Sequence, residues 1–258
     1  MSPLLAQLPP ALLASFLLPY LRVQACLIAM PGWGDRMLSM RVRVALALAI
    51  TPLAREFTQG LPALPDTLTP ELPGLLGALA VAELSIGFAL GLLVRIAGYA
   101  LGMATAAIAA VTSLSQLVGG PSEAAPHPIG NLLDLAGLAL LMTLGYPLFL
   151  VDYLVEGYAL LPVGQLPDAA MLGLAGALGV ARAFGLAMTL ASPFILGGFL
   201  YQCLQGVVSR VMPSLPVVFV GAPAALMLAL AGVALLAIPI LALWVDSILD
   251  FRLPPLLP

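Results

Sequence analysis

An all-α, polytopic membrane-type fold built of long helices kinked by proline and glycine follows from three observations. Hydrophobic residues make up 62% of the 258, and charged residues only 8%, where soluble domains carry about 25% charge. Mean hydropathy is +1.13. The third observation is the stretch Ala183–Val245, which holds a single charge, Arg210, and is interrupted by Pro193, Pro213, Pro216, Pro223 and Pro239. Water is no solvent for such a segment. Lipid is a poor one too, because each proline frees a backbone carbonyl that hydrocarbon cannot satisfy. The segment therefore calls for protein neighbours at membrane depth.

Taken in order, Leu4–Leu21 is uncharged and the apolar character resumes after Arg22 up to Met30, which predicts one helix bent near Pro19 and stopped by Pro31-Gly-Trp-Gly34. Asp35–Arg43 is a polar connection carrying Arg36, Arg41 and Arg43. Val44–Ala54 is too short to span and reads as a half-span or a helix packed inside protein. A Pro-rich loop covers Arg55–Pro73. Leu75–Val94 is a span, and a second apolar run follows Arg95 from Ile96 to Val118. The two make either one bent helix or a tight hairpin near Arg95. Gly119–Gly130 is the strongest loop signal. Asn131 suits a helix N-cap for a segment running to about Tyr158 with Pro147 inside it. Leu161–Asp168 is a loop, Ala169–Gly206 a long apolar segment through Pro193, Arg210–Pro216 a compact turn, and Val217–Val245 the last apolar segment. Counted this way the spans number six to seven. Arginine placement follows the positive-inside rule only in the first half, so a simple alternating topology is not expected.

Composition excludes much chemistry. The chain has no lysine and a net charge of −3, which gives no field for nucleic acid. The sole histidine, His127, lies between Pro126 and Pro128, so neither a zinc site nor a Ser/His/Asp set is expected. Cys26 and Cys203 each stand alone in apolar runs and read as small buried hydrophobes. No Gly-Lys-Ser/Thr follows Gly119-Gly120 and there is no GxGxxG. No catalytic residue, metal or cofactor is therefore expected. The first twenty residues lack a basic region and a small-residue cleavage site, so no removable signal peptide is expected.

Glu83, Gly87, Gly91 and Arg95 recur every four residues and form one stripe along a helix. The glycines permit close approach of another helix. Glu83 is open to three readings: a packing residue held by a neighbouring subunit's arginine or backbone amides, a carrier of protons or ions, or both glycines and acid serving packing alone. Asp134 and Asp152 lie near the two ends of one segment and read as interfacial or capping residues, while Arg182 snorkels or pairs with an acid. Around Ser113, Leu114, Ser115 and Gln116 the chain leads into the Gly119-Gly120-Pro121 break. Irregular backbone there is a surface loop or a flexible constriction.

Four stretches in order resemble the FliR/SctT family of type III export proteins: Arg22 through Pro31 to Arg41-Val-Arg43-Val-Ala-Leu-Ala; Glu83-Leu-Ser-Ile-Gly87-Phe-Ala-Leu-Gly91; Leu190-Ala-Ser-Pro193-Phe194; and Gly206-Val-Val-Ser-Arg210-Val-Met-Pro213 continuing through Phe219 and Gly221 to Pro223. Ser214 and Pro216 stand where many members have Gln and Asn. The resemblance implies an all-helical subunit of a closed hetero-oligomeric helical gate, built with FliP and FliQ and flanked by FlhB. Residues 1–168 would be the FliP-like part and 169–258 the FliQ-like hairpin and tail, with Arg210, Pro213, Phe219 and Pro223 at its turn. It implies a plug loop at about 110–126, including Ser113, Leu114, Ser115, Gln116, Gly119 and Gly120. The stripe Glu83, Gly87, Gly91, Arg95 would be a subunit-packing surface. Unfolded flagellar subunits would pass across the bacterial inner membrane at the basal body, with no chemistry by this chain, no cofactor and no nucleic acid. The alternative is a proton- or ion-coupled secondary transporter with broken helices and Glu83 as coupling carboxylate.

Overall fold

In the computed structural model the residues described are 10–35, 38–56, 72–112, 128–212 and 217–253. Among them are seven helices and no strand: α1 (Pro10–Ala29), α2 (Met40–Glu56), α3 (Leu72–Thr112), α4 (Pro128–Thr143), α5 (Tyr146–Leu160), α6 (Ala169–Val211) and α7 (Val217–Leu249). The chain divides into two compact units. One comprises Met1–Ala97, Gly145–Val180 and Asp250–Pro258, the other Gly98–Leu144 and Ala181–Leu249.

In the first unit, α1 runs through Pro19 without breaking. Its end is a tight stop: Gly32 takes φ 75°, Gly34 N donates to Met30 O at 2.9 Å, and Asp35 Oδ2 accepts from Gly32 N at 2.8 Å. The positive φ is what makes glycine necessary there. The chain returns as α2, which buries Ala47, Thr51 and Ala54, spaced as one helical face. The Thr51 hydroxyl, which would otherwise be buried unpaired, donates to Ala47 O at 2.7 Å. Arg43 closes the connection by donating to the carbonyls of Asp35 and Leu38. At 17 residues, α2 is a helix packed on α1 and not a span.

The run on either side of Arg95 is one helix, α3, of 41 residues; the hairpin alternative falls because nothing at Arg95 breaks the ladder. The segment expected to be continuous through Pro147 is instead broken. α4 ends at Thr143 and α5 begins at Tyr146; between them Gly145 takes φ 110°, and Pro147 sits in the first turn of α5. Proline fits a first turn, where its missing N–H has no partner to lose. Pro128, at the first position of α4, uses the same rule, so α4 starts before Asn131, which lies inside it and is not its cap. Asp168 caps α6 through Oδ1, 3.0 Å from Ala170 N.

In the second unit, α6 passes Pro193 and α7 passes Pro223 and Pro239 as continuous helices. Pro193 has no N–H for the carbonyl of Thr189, four residues back. The Ser192 hydroxyl takes that carbonyl at 2.8 Å. α4 packs by its Gly137 face: a Cβ there would meet Leu101 Cδ2 at 2.6 Å and Trp244 at 3.3 Å. Trp244 Nε1 donates to Gly98 O at 3.2 Å. Cys26 is buried as expected, but Cys203 is exposed, as are its neighbours Gln202 and Leu204 on α6.

Among the described residues three helices are long and apolar enough to cross a membrane, or four if the α4–α5 pair counts as one span. That is fewer than the six to seven expected, in part because α2 is short and because two apolar runs proved to be one helix.

Gly145→Ala places a Cβ at φ 110°, at a cost of about 1–2 kcal/mol, and lowers the thermal midpoint in detergent. Gly185→Ala, at an open mid-helix position of α6, leaves it unchanged or raised. Equal midpoints for the two variants would contradict the assignment of the break.

Candidate functional site

The charged residues of the apolar interior meet in the first unit. Arg22 on α1 and Glu83 on α3 are both fully buried. They form a bidentate pair, Nε to Oε2 at 2.6 Å and Nη2 to Oε1 at 2.9 Å. The remaining nitrogen, Nη1, donates to Leu161 O at 2.7 Å, and Glu83 Oε1 also accepts from Gly164 N at 3.0 Å. The guanidinium lies over the Tyr158 ring, 4.1 Å from its centroid. Gly164 takes φ 81° with Leu79 packed where a Cβ would stand. Four separate parts of the chain therefore converge on one pair of charges.

The stripe that begins at Glu83 continues along α1. A Cβ at Gly87 would run into Arg22 O and lie 3.0 Å from Ala25 Cβ. One at Gly91 would run into Cys26 O and lie 2.6 Å from Ala29 Cβ. Contacts advance in step on both helices, so α1 and α3 run parallel, with their backbones in near contact. Arg95 ends the series. It donates to Ala29 O at 2.5 Å and Met30 O at 3.0 Å, and its Nη2 is 3.4 Å from Asp35 Oδ1. A cation on the last carbonyls of α1 also suits the negative end of the helix dipole.

Beside this clasp, Trp33, Tyr146, Phe149, Tyr153 and Phe251 form a run of ring contacts with centroids 5.5–6.1 Å apart. Tyr146 Oη donates to Pro31 O at 3.0 Å, and Tyr153 Oη to Leu90 O at 2.9 Å. α5 is thereby tied to the turn after α1 and to α3.

Of the residues singled out from sequence, Glu83, Gly87, Gly91 and Arg95 do share one face. That face lies against α1 of the same chain, and the arginine at Glu83 is the chain's own Arg22. Both oxygens of Glu83 are engaged by Arg22, and the side chain is fully buried. Arg210 is exposed in the last turn of α6 and Pro223 is exposed within α7. Phe219 is in α7, but its side chain lies outside the described residues, as does Pro213. Ser113, Leu114, Ser115, Gln116, Gly119 and Gly120 also lie outside them; of the stretch 110–126 only its start, the end of α3, is described. Arg182 is exposed, and among the described residues no acid pairs with it. The partnership of Arg22 with Glu83, and the parts of Tyr158 and Gly164, were missed. A buried carboxylate demands a cation, which narrows the choice to the arginines in apolar runs. Nothing in the spacing selects among Arg22, Arg182 and Arg210.

Long apolar helices around a buried pair of opposite charges define a membrane-type protein with a polar clasp in its interior. The chain belongs to the family of bacterial export proteins, family 1, which matches residues 13–251. It is similar to the flagellar biosynthetic protein FliR of Caulobacter vibrioides, 29% identical over 89% of this chain and 90% of that protein. The FliR proteins of Aquifex aeolicus, 27% identical over 91% of this chain and 89% of theirs, and of Escherichia coli, 28% identical over 85% and 81%, are further relatives.

Glu83→Gln leaves Arg22 buried without its counter-charge, a loss of about 3–5 kcal/mol, and sharply lowers the yield of monodisperse protein in detergent. The double change Arg22→Met with Glu83→Leu removes both charges and recovers part of that yield. A single Glu83→Gln variant as stable as the wild type would refute the anchoring role of the pair.

Proposed function

We propose that this chain is a structural and gating subunit of the flagellar type III export channel, passing unfolded flagellar subunits across the bacterial inner membrane at the basal body. The observation that carries the reading is helix length set against burial. α3 and α6 have 41 and 43 residues, or about 62 and 64 Å at 1.5 Å per residue. Even tilted by about 40°, each rises more than about 45 Å, against a hydrocarbon core of about 30 Å. Yet α3 carries only Glu83 and Arg95, and α6 only Arg182 and Arg210. The most apolar stretch of α6 is 28% buried in this chain and that of α7 only 11%. Lipid cannot cover such lengths of uncharged surface, so other protein does. On this reading that protein is FliP and FliQ homologues, with FlhB and the remaining export apparatus beside them; membership of the export family and the FliR relatives support it.

On this reading the chain does no chemistry and takes no cofactor; the energy for transport is supplied elsewhere in the apparatus. Residues 169–258 act as a FliQ-like hairpin within the gate and 1–168 as a FliP-like part. The stretch about 110–126 closes the pore as a plug.

Deleting the gene abolishes flagellin export, and the tagged chain co-purifies with FliP and FliQ homologues in mild detergent. Normal export, or a lone monomer, overturns the reading. Shortening Ser113–Ala124 leaves the complex assembled and makes the membrane leaky to small ions, read as loss of membrane potential. An unchanged potential in that variant identifies the loop as an ordinary surface connection.

A further inference from the structure

The residues that follow α7 make contacts in which the clasp has no part. α7 ends at Leu249, and Asp250–Pro258 belong to the first unit. Along Asp250, Phe251, Arg252 and Leu253 exposure alternates. Asp250 and Arg252 are exposed, Phe251 is half-buried and Leu253 is buried. Alternation of this kind marks an extended segment with one side laid on protein, and 251–253 are in neither helix nor strand.

The surface beneath the segment is α5. The Phe251 ring lies 6.0 Å from that of Tyr153. A Cβ at Gly157 would stand 3.9 Å from Leu253 Cδ1 and 2.9 Å from Leu90 Cδ1. Tyr153 and Gly157 are four residues apart on one helical face, a rise of about 6 Å. Two residues of extended chain cover about 6.6 Å, so Phe251 and Leu253 meet successive turns of α5 in step. The platform is fixed to α3, because Tyr153 Oη donates to Leu90 O at 2.9 Å. Leu90 precedes Gly91, where α3 lies against α1.

The segment is joined to α7 without slack. Asp250 alone separates the last helical residue from Phe251, a reach of about 7 Å at most. Near its end α7 buries Trp244, Val245 and Ile248, while Leu228, Leu235 and Ile238 earlier in the helix are exposed. α7 is thus held at the end from which the segment leaves. Two docked side chains are a small anchorage, open to release by local unfolding.

We propose that Asp250–Leu253 is a strap that couples α7 to the clasp helices. A displacement of the exposed length of α7 is delivered through Phe251 and Leu253 to the Tyr153–Gly157 face of α5, and from there to α3 at Leu90. This rests on the reading of the chain as a gate subunit. It adds the route by which the last helix acts on the Arg22–Glu83 unit.

The test uses the full chain co-expressed with the FliP, FliQ and FlhB homologues in cells lacking the native gene. Two quantities are read: partner recovered per chain in mild detergent, and flagellin exported per assembled complex. A photo-crosslinking amino acid in place of Leu253 joins the chain to its own residues 153–157. An insertion of about six Gly/Ser residues between Leu249 and Asp250 adds about 12–15 Å of slack and leaves every docked side chain in place. It keeps the crosslink and the complex, and it lowers export at least about five-fold, the low end of ordinary coupling between sites. Phe251→Ala with Leu253→Ala lowers export likewise, whereas Arg252→Ala, at an exposed position, exports as the wild type. If the double variant does not accumulate, the insertion decides. The proposal is overturned if the insertion variant exports as the wild type, or if the crosslink at position 253 reaches only lipid or another chain. It is equally overturned if the insertion lowers assembly and export in the same proportion, which would make the segment a packing element alone. Normal export from cells lacking the gene sinks the gate reading itself; gene-dependent export that the insertion leaves unchanged sinks only the strap.

Discussion

A charge pair with no access to water governs the first unit. Arg22 and Glu83 are both fully buried, and each would be costly in that setting without the other. Their combined needs are met only when α1, α3, Tyr158 and the Leu161–Gly164 loop are all in place. The pair adds little stability relative to a well-packed apolar substitute. It adds specificity: an alternative packing that separates the two leaves an unpaired ion in an apolar interior. Arginine suits this role where lysine does not. Its planar fork engages a carboxylate on one side and a carbonyl on another while the face rests on an aromatic ring.

The same stripe shows how charge and glycine divide the work. Glu83 and Arg95 stand at its two ends and fix register, one through an ion pair and one through the last carbonyls of α1. Gly87 and Gly91 lie between them and set the distance, since any side chain would strike the α1 backbone. Ala25 and Ala29 answer them from the other helix. Neither device suffices alone. Glycines allow close approach at several registers, and charges on long side chains tolerate several distances.

How much of this could be read from sequence depended on whether the signal was local. The all-helical membrane-type class followed from composition, because an 8% charge content leaves no soluble alternative. The stripe followed from four-residue spacing, which depends only on helix geometry. Its identity as an internal clasp did not, since partner choice is a matter of tertiary structure. The span count failed at the same boundary. Hydropathy sees apolar length, and it cannot tell whether two adjacent apolar runs are two helices or, as on either side of Arg95, one. Pro147 misled in a related way. A proline inside an apolar run can be either a kink or a first turn, and only the left-handed Gly145 beside it decides.

Proline placement in the second unit carries the last step. An interior proline removes a hydrogen bond and leaves a carbonyl that must find another donor. At Pro193 the chain supplies that donor itself, from Ser192 to Thr189 O, so this proline is tolerable whatever surrounds α6. Pro223 and Pro239 in α7 free the carbonyls of Phe219 and Leu235. The residues before them, Ala222 and Ile238, have no hydroxyl to offer. A helix that must satisfy such carbonyls from outside does poorly in hydrocarbon and well against neighbouring protein. α7 is also the helix whose apolar stretch this chain covers least, at 11%. Its sequence and its exposure thus both fit the proposal that other gate subunits pack against it.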